Sequence, residues 1–298
     1  MTDLGSGPET SGAASTGPAV PTIGVFDSGF GGLTVLRALI QRLPQARFAF
    51  IGDTARLPYG SKSRRTIARY AAQSAQFLVR EQGAEFLVIA CNTASALALD
   101  AIQEVVPVIP VLGVIEPGAA AARAASRTGD VLVIATDATV QSHAYAAACR
   151  AQGLRALEKA CPLLVPLVEE GWTDHPVTAE VVRIYLDELM AEAAASGLHP
   201  DTLVLGCTHY PLLRPLIEQA VASSGICVID SAESTAAAAV DLFNGAAGAL
   251  ISGTRGSKVP ADTEIRAFAT DSAEKFERLG SRFLGRPVGK VELVDLGG

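Results

Sequence analysis

Cys91 and Cys207 close two look-alike stretches of this chain, LVIACNTASALAL (87–99) and LVLGCTHYPLLRPL (203–216). Each reads as an apolar strand-like run, a small residue, cysteine, a polar pair and a helix-like segment. The pairs are Asn92-Thr93 and Thr208-His209. One cysteine at the end of an apolar run ordinarily packs as a small hydrophobe. Two at equivalent places point to a shared task. Inverting a carbon centre means taking a proton from one face and returning one to the other. A single fixed base cannot do both, but a thiolate on one side and a thiol on the other can. A free thiol titrates at about 8.5, and a nearby cation or a helix start makes thiolate available. Both cysteines precede helix-like segments. Cys149, Cys161 and Cys227 lack that context and read as packing residues.

Other polar residues fall at strand ends too. His209, two residues after Cys207, can assist the thiol or a substrate amine. His175 and His199, beside prolines, read as surface or core histidines. Cys91, Cys207 and His209 would also suit an open zinc site, but no CxxC or HExxH spacing supports one, and no metal is expected. In FDSGFGGLT (26–34) the glycines after a strand suggest a dinucleotide turn, with Asp53 near the place of a ribose-binding acid. The third glycine of that fingerprint is Thr34, and Asp27 would repel a pyrophosphate. Asp27 fits better as a base helper or an ammonium partner. Ser28 and the backbone N–H groups after it can hold a small carboxylate at a helix start. Tyr59 and Gly60, in the loop after Asp53, can wall a pocket and offer a backbone donor. Glu169 and Glu170 follow a short apolar run, a pattern that by itself usually marks a solvated face.

These residues need a frame. Apolar runs at 23–26, 48–51, 86–90, 109–112, 131–135, 202–205 and 227–229 alternate with helix-like segments such as 64–82, 178–195 and 212–222. Buried strands alternating with helices mean a parallel sheet covered on both faces. The cysteine repeat, and the echo of IGVFDSG (23–29) in VLVIATDAT (131–139), argue for a duplicated α/β unit. The expected fold is therefore two similar open, mostly parallel α/β sheets with helices on both faces. Their strand ends would line a shared cleft, where ligands bind in such sheets. The expected division is a disordered tail over 1–21, a first domain of 22–115 with 227–298, and a second of 116–226. The tail is expected because residues 1–20 are Gly, Ser, Thr, Pro and Ala with no apolar period. Hydrophobic residues at 49% and charged residues at 18% supply a core and exclude global disorder. The net charge of −7 disfavours nucleic acid and anionic membranes as partners, so an anionic substrate must be held by local donors. No basic-apolar leader or membrane-length run is visible, so a cytoplasmic protein with reduced thiols is expected.

The assembled motifs resemble those of the glutamate racemases, in the cofactor-independent aspartate/glutamate racemase superfamily. The residues carrying the resemblance are IGVFDSGFGGLTVL, FIGDTARLPYGSKS, VIACNTASA, PVLGVIEPG, ATDATVQSHAY, CPLLVPLVEEGW and LVLGCTHYPLL. They span nearly all of 22–285, and no motif position departs in a way that disables the chemistry. The resemblance implies interconversion of L- and D-glutamate, with D-glutamate supplied to peptidoglycan. It implies two cysteine bases and no cofactor, neither pyridoxal phosphate nor metal. By matching motif, Cys91 and Cys207 are the bases, Asp27 and His209 their assistants, and Glu169 a further polar helper. Asp27-Ser28, Tyr59-Gly60, Asn92-Thr93 and Thr208-His209 are the substrate-binding pairs. A small-molecule substrate and a homodimer are expected; some members are reported to bind DNA gyrase, and nothing in this sequence identifies such a surface.

Two other classes compete. One is a different activity of the superfamily, on aspartate or on a related diacid; a decarboxylase needs only one thiol, which counts against it. A pyridoxal-dependent racemase would need a Schiff-base lysine, and only Lys62 lies near a strand-end loop. The other is a binding protein that closes on an amino acid without turnover, which would have no use for thiols on both sides of its cleft.

Overall fold

Period-two burial along the strands sets the architecture. In the computed structural model, which describes residues 20–247 and 263–297, Ile23 and Val25 of the first strand enter one core cluster and Phe26 another. Phe48 and Phe50 likewise face one way, with Ala49 and Ile51 the other. A strand buried on both faces needs helices on both, and the chain supplies them in alternation.

The order is β1 (Thr22–Asp27), α1 (Leu33–Arg42), β2 (Arg47–Gly52), α2 (Arg64–Arg80), β3 (Phe86–Ile89), α3 (Asn92–Leu97), α4 (Leu99–Val105), β4 (Val111–Gly113) and α5 (Ile115–Ala125). It continues with β5 (Asp130–Ala135), α6 (Asp137–Ser142), α7 (Ala144–Ala151), β6 (Arg155–Ala160), α8 (Leu164–Glu169), α9 (Pro176–Ala195), β7 (Thr202–Gly206), α10 (Arg214–Val221) and β8 (Cys227–Asp230). The chain then returns through α11 (Ser231–Ala247), β9 (Ile265–Ala269), α12 (Ala273–Leu284) and β10 (Val291–Leu293). Two parallel sheets result. One has the order β10-β9-β2-β1-β3-β4, the other β6-β5-β7-β8. β5 pairs with β7 at Val131↔Thr202, and β1 with β3 at Ile23↔Phe86, so the cysteine-bearing strand flanks a central strand in each sheet.

The two-sheet α/β expectation therefore holds, with differences in detail. The expected division put residues from 227 onward with the first sheet. β8 instead pairs with β7 at Thr202↔Cys227. The reason is a βαβ unit: β7, α10 and β8 make one short crossover, which lays the second strand parallel beside the first. The return to the first half begins at α11, which packs on α1 and α5. β6 was not anticipated. Its sequence RALEKA carries Glu158 and Lys159 in mid-strand because it is an edge, half-buried throughout its inner part. Cys227, expected to pack, is exposed at the start of β8, whereas Cys149 and Cys161 are buried. The N-terminal tail lies outside the described residues.

The halves meet closely where the β1–α1 turn crosses the loop after β7. A Cβ on Gly31 would stand 2.6 Å from His209 Nδ1 and 2.8 Å from Thr208 Cβ, inside van der Waals contact. The Thr34 hydroxyl reaches the Thr208 carbonyl across the same seam at 3.4 Å. Gly31→Ala should wedge this seam, with an overpacking cost of about 1–3 kcal/mol. A lowered melting temperature with at least a tenfold loss of activity is the expected result; wild-type activity from this variant would show that the seam yields freely.

Candidate active site

Parallel strands present their carboxyl ends at one edge, and here the edges of both sheets face a common cavity of about 300 Å³. Ser28 after β1, Tyr59 and Gly60 after β2, and Cys91, Asn92 and Thr93 after β3 line it from the first half. Thr136 after β5, Glu169 and Glu170 at the end of α8, and Cys207, Thr208 and His209 after β7 line it from the second. The expected site residues are thus brought together, with Asp27 one layer behind them, 1% exposed. Among the described residues no lysine or arginine lines the cavity.

Cys91 caps α3: its Sγ accepts from Ala94 N at 3.5 Å, so the helix start faces the thiol. The thiol donates to Ser28 Oγ at 3.4 Å. Burial first, and then the negative charge of Asp27, push the Cys91 thiol up to about 12; the Ser28 and Ala94 hydrogen bonds pull the other way. Asp27 ends β1 and receives Gly29 N at 2.9 Å and Thr208 Oγ1 at 3.5 Å. Burial raises its carboxyl above the usual range, against the pull of His209 and of these hydrogen bonds. Two buried acids of one sign side by side hold protons more firmly than either would alone.

The second half differs. Cys207 does not open a helix as expected. Pro211 and Pro215 break the segment after it into a 3₁₀ turn, Tyr210–Leu213, before α10 begins. Its electrostatic partner is a side chain instead. Burial opposes a charge on His209, but hydrogen bonds with Cys207 and Glu169 outweigh it and push the imidazole up to about 10. His209 Nε2 lies 3.2 Å from Glu169 Oε1, and Phe283 of α12 stands edge-on to the ring at 5.2 Å between centroids. Burial raises Glu169, yet His209 and then Lys275 hold its carboxyl below the usual range.

The wall after β2 is built on Asp53. Its Oδ2 accepts the Tyr59 hydroxyl at 2.5 Å and its Oδ1 accepts Thr270 Oγ1 at 2.9 Å. The phenol tip is thereby turned into the protein, and the backbone of the Tyr59–Ser61 turn is left toward the cavity. A Cβ on Gly60 would come within 2.9 Å of Thr136 Cβ, so this turn too touches the other half. In the first turn, where the sequence suggests a dinucleotide, Gly31 admits Thr208 and His209.

Some residues of the site were not singled out from sequence. Thr93 Oγ1 lies 3.0 Å from Thr136 Oγ1 and 3.1 Å from Thr139 Oγ1, which are 3.0 Å from each other. This hydroxyl triangle joins the halves. The ATDAT echo of FDSG held its signal, because it marks the end of β5. Tyr145 of α7 donates to Asn92 Oδ1 at 2.7 Å, a contact with no local sequence mark.

The family model for Asp/Glu/Hydantoin racemase matches residues 23–239. The glutamate racemase of Koribacter versatilis is 54% identical over 292 residues, covering 93% of this chain and 98% of that protein. The structure of glutamate racemase from Francisella tularensis in complex with D-glutamate superposes with a TM-score of 0.80 at 34% identity, over 93% of this chain and 98% of that one. That of Thermus thermophilus glutamate racemase in complex with β-chloro-D-alanine gives 0.77 at 42%, over 93% and 97%. The matched span contains both cysteine loops and the cavity between them, and this chain belongs to the Asp/Glu/Hydantoin racemase family.

Proposed function

We propose that this chain interconverts L- and D-glutamate by moving the α-proton between Cys91 and Cys207. The observation that carries the mechanism is that the two thiols stand at equivalent strand ends of opposite halves, on one cavity. The family membership, and the glutamate racemases most similar to it, support the substrate. The product D-glutamate would feed peptidoglycan synthesis.

The two bases start unequal. His209, pushed up to about 10, carries a proton through neutral pH and stands beside Cys207. Cys91, held high by burial and Asp27, starts as thiol. Inversion requires one acid and one base, and in this reading Cys91 is the acid. In this reading Cys207 takes the α-proton of L-glutamate while Cys91 delivers its own to the other face, and the D-isomer runs the steps in reverse. The substrate ammonium brings positive charge close to Asp27 and offsets the repulsion that keeps Cys91 protonated. Both carboxylates are held by neutral donors: the hydroxyls of Ser28, Thr93 and Thr208, the Asn92 amide and backbone N–H groups. Thr136, missed in sequence, joins them.

Among the described residues no helix is long and apolar enough to cross a membrane. A cytoplasmic enzyme without membrane or nucleic-acid partners completes the proposal. A homodimer belongs to it as well, with exposed Trp172, Val177 and Ile184 offering apolar surface.

Purified protein given either enantiomer of glutamate, with a chelator and no added cofactor, should bring optical rotation to zero. Loss of activity with EDTA and return with zinc would sink the two-thiol mechanism. Cys91→Ser and Cys207→Ser should each nearly abolish racemisation, because a hydroxyl is a far weaker acid than a thiol. With a β-chloro substrate, one surviving thiol suffices for elimination. Cys91→Ser should release keto acid from the L-form only and Cys207→Ser from the D-form only; equal losses with both isomers would refute the opposite-face assignment.

Glu169→Gln tests the cation. Removing that carboxylate weakens a contact that favours imidazolium, so His209 should lose its proton at lower pH. We expect about a tenfold lower kcat and an alkaline limb of the pH–rate profile displaced toward neutrality. An unmoved limb would detach Glu169 from His209.

A further inference from the structure

Asn92 lines the cavity and is 3% exposed, yet its Nδ2 has no partner among the described residues, while its Oδ1 is taken. The group that takes it is the hydroxyl of Tyr145, at 2.7 Å. Tyr145 stands in α7 of the second half, Asn92 at the start of α3 in the first, so the bond crosses between the sheets. Tyr145 is wholly buried. Its ring is held between Gly118 of α5 and Gly206 of β7, where an added Cβ would lie 3.2 Å and 3.0 Å from its edge. Ser231, the first residue of α11, lies beside the phenol. Burial drives the phenol far up, so it keeps its proton at any working pH.

Tyr145 gives its only proton to Asn92 Oδ1. An amide carries its acceptor and donor on opposite prongs. With Oδ1 fixed against Tyr145, the two Nδ2 protons are the prong left over, in a side chain that borders the cavity. A buried donor without a partner costs free energy in the empty protein. A carboxylate oxygen of the ligand removes that cost on binding.

We propose that Tyr145 is a positioning residue for the racemase reaction: through its bond to Asn92 it fixes the amide with its NH₂ toward the substrate carboxylate. The idea rests on the functional reading above. Without the phenol proton, Asn92 has two orientations of similar energy, and one of them presents an oxygen to an anion. The contact acts on bound substrate of either hand, so its loss raises KM more than it lowers kcat. The bond also runs from α7 to α3. Substrate contact in the first half is thereby tied to the packing of the second.

The test is steady-state kinetics in both directions on Tyr145→Phe, Asn92→Ala and the double variant. Tyr145→Phe should raise KM for both enantiomers about tenfold with kcat within about threefold. Asn92→Ala should raise KM at least as much, and adding Tyr145→Phe to it should change KM less than twofold, because the two act through one amide. Asn92→Ala keeps the test open should Tyr145→Phe fold poorly. A KM unchanged in Tyr145→Phe or Asn92→Ala, or effects of the two that multiply, would overturn the relay and leave the racemase reading intact. An unaltered protein that does not turn over glutamate would overturn the racemase reading first, and the relay with it.

Discussion

The loop after β7 lies against the turn after β1, and most of the site follows from that contact. Gly31 leaves room for Thr208 and His209. Thr208 then reaches Asp27, the buried acid whose charge acts on Cys91. The polar surroundings of one thiol are thus partly supplied by the half that carries the other. Neither sheet alone completes the surroundings of its thiol. Separating the halves would return Asp27 and His209 to water, where the forces that hold them away from their ordinary protonation behaviour fade.

Burial then does different things on the two sides. Around Cys91 it concentrates like charge: a thiol and a carboxyl compete, and the thiol keeps its proton. Around Cys207 it concentrates opposite charge, because Glu169 and His209 form a pair only 3.2 Å apart in a mostly dry setting. A duplicated fold would give the two thiols equal surroundings if strand ends alone decided. The asymmetry comes from what each loop places beside its cysteine: an aspartate and a helix start in one case, an imidazolium in the other.

Strand-end chemistry was legible in sequence because parallel strands concentrate it. An apolar run broken by Asp-Ser, Cys-Asn-Thr or Cys-Thr-His marks the place where a buried strand reaches a cleft. The pairs at 27–28, 59–60, 92–93 and 208–209 were readable for that reason, and all but the deeper Asp27 border the cavity. What escaped had no local mark. β6 pairs at an edge, so its charged residues hide its strand period. β8 lies next to β7 in the second sheet because of the crossover through α10, and its three-residue apolar run says nothing of which sheet it joins. Glu169 rested on resemblance alone; only the fold brings α8 to His209. Tyr145 was invisible because its partner is 53 residues away and sits in the other half.

Among the described residues the cavity wall holds no lysine or arginine, and that bears on the reaction itself. A guanidinium would clamp a carboxylate strongly in the ground state, and binding energy spent equally on ground and transition states does not raise kcat. A racemase also has two ground states, mirror images at one carbon, and must hold both without favouring either. Short hydroxyls and amides allow this. They are neutral, they hydrogen-bond a carboxylate from several directions, and they leave the α-carbon free to carry its hydrogen on either face. Among the described residues the cation in the wall is His209, which stands beside a thiol. The acidic chain as a whole gives the substrate no long-range attraction, so affinity must come from these local donors, already arranged by contacts such as the Tyr145–Asn92 bond before a substrate arrives.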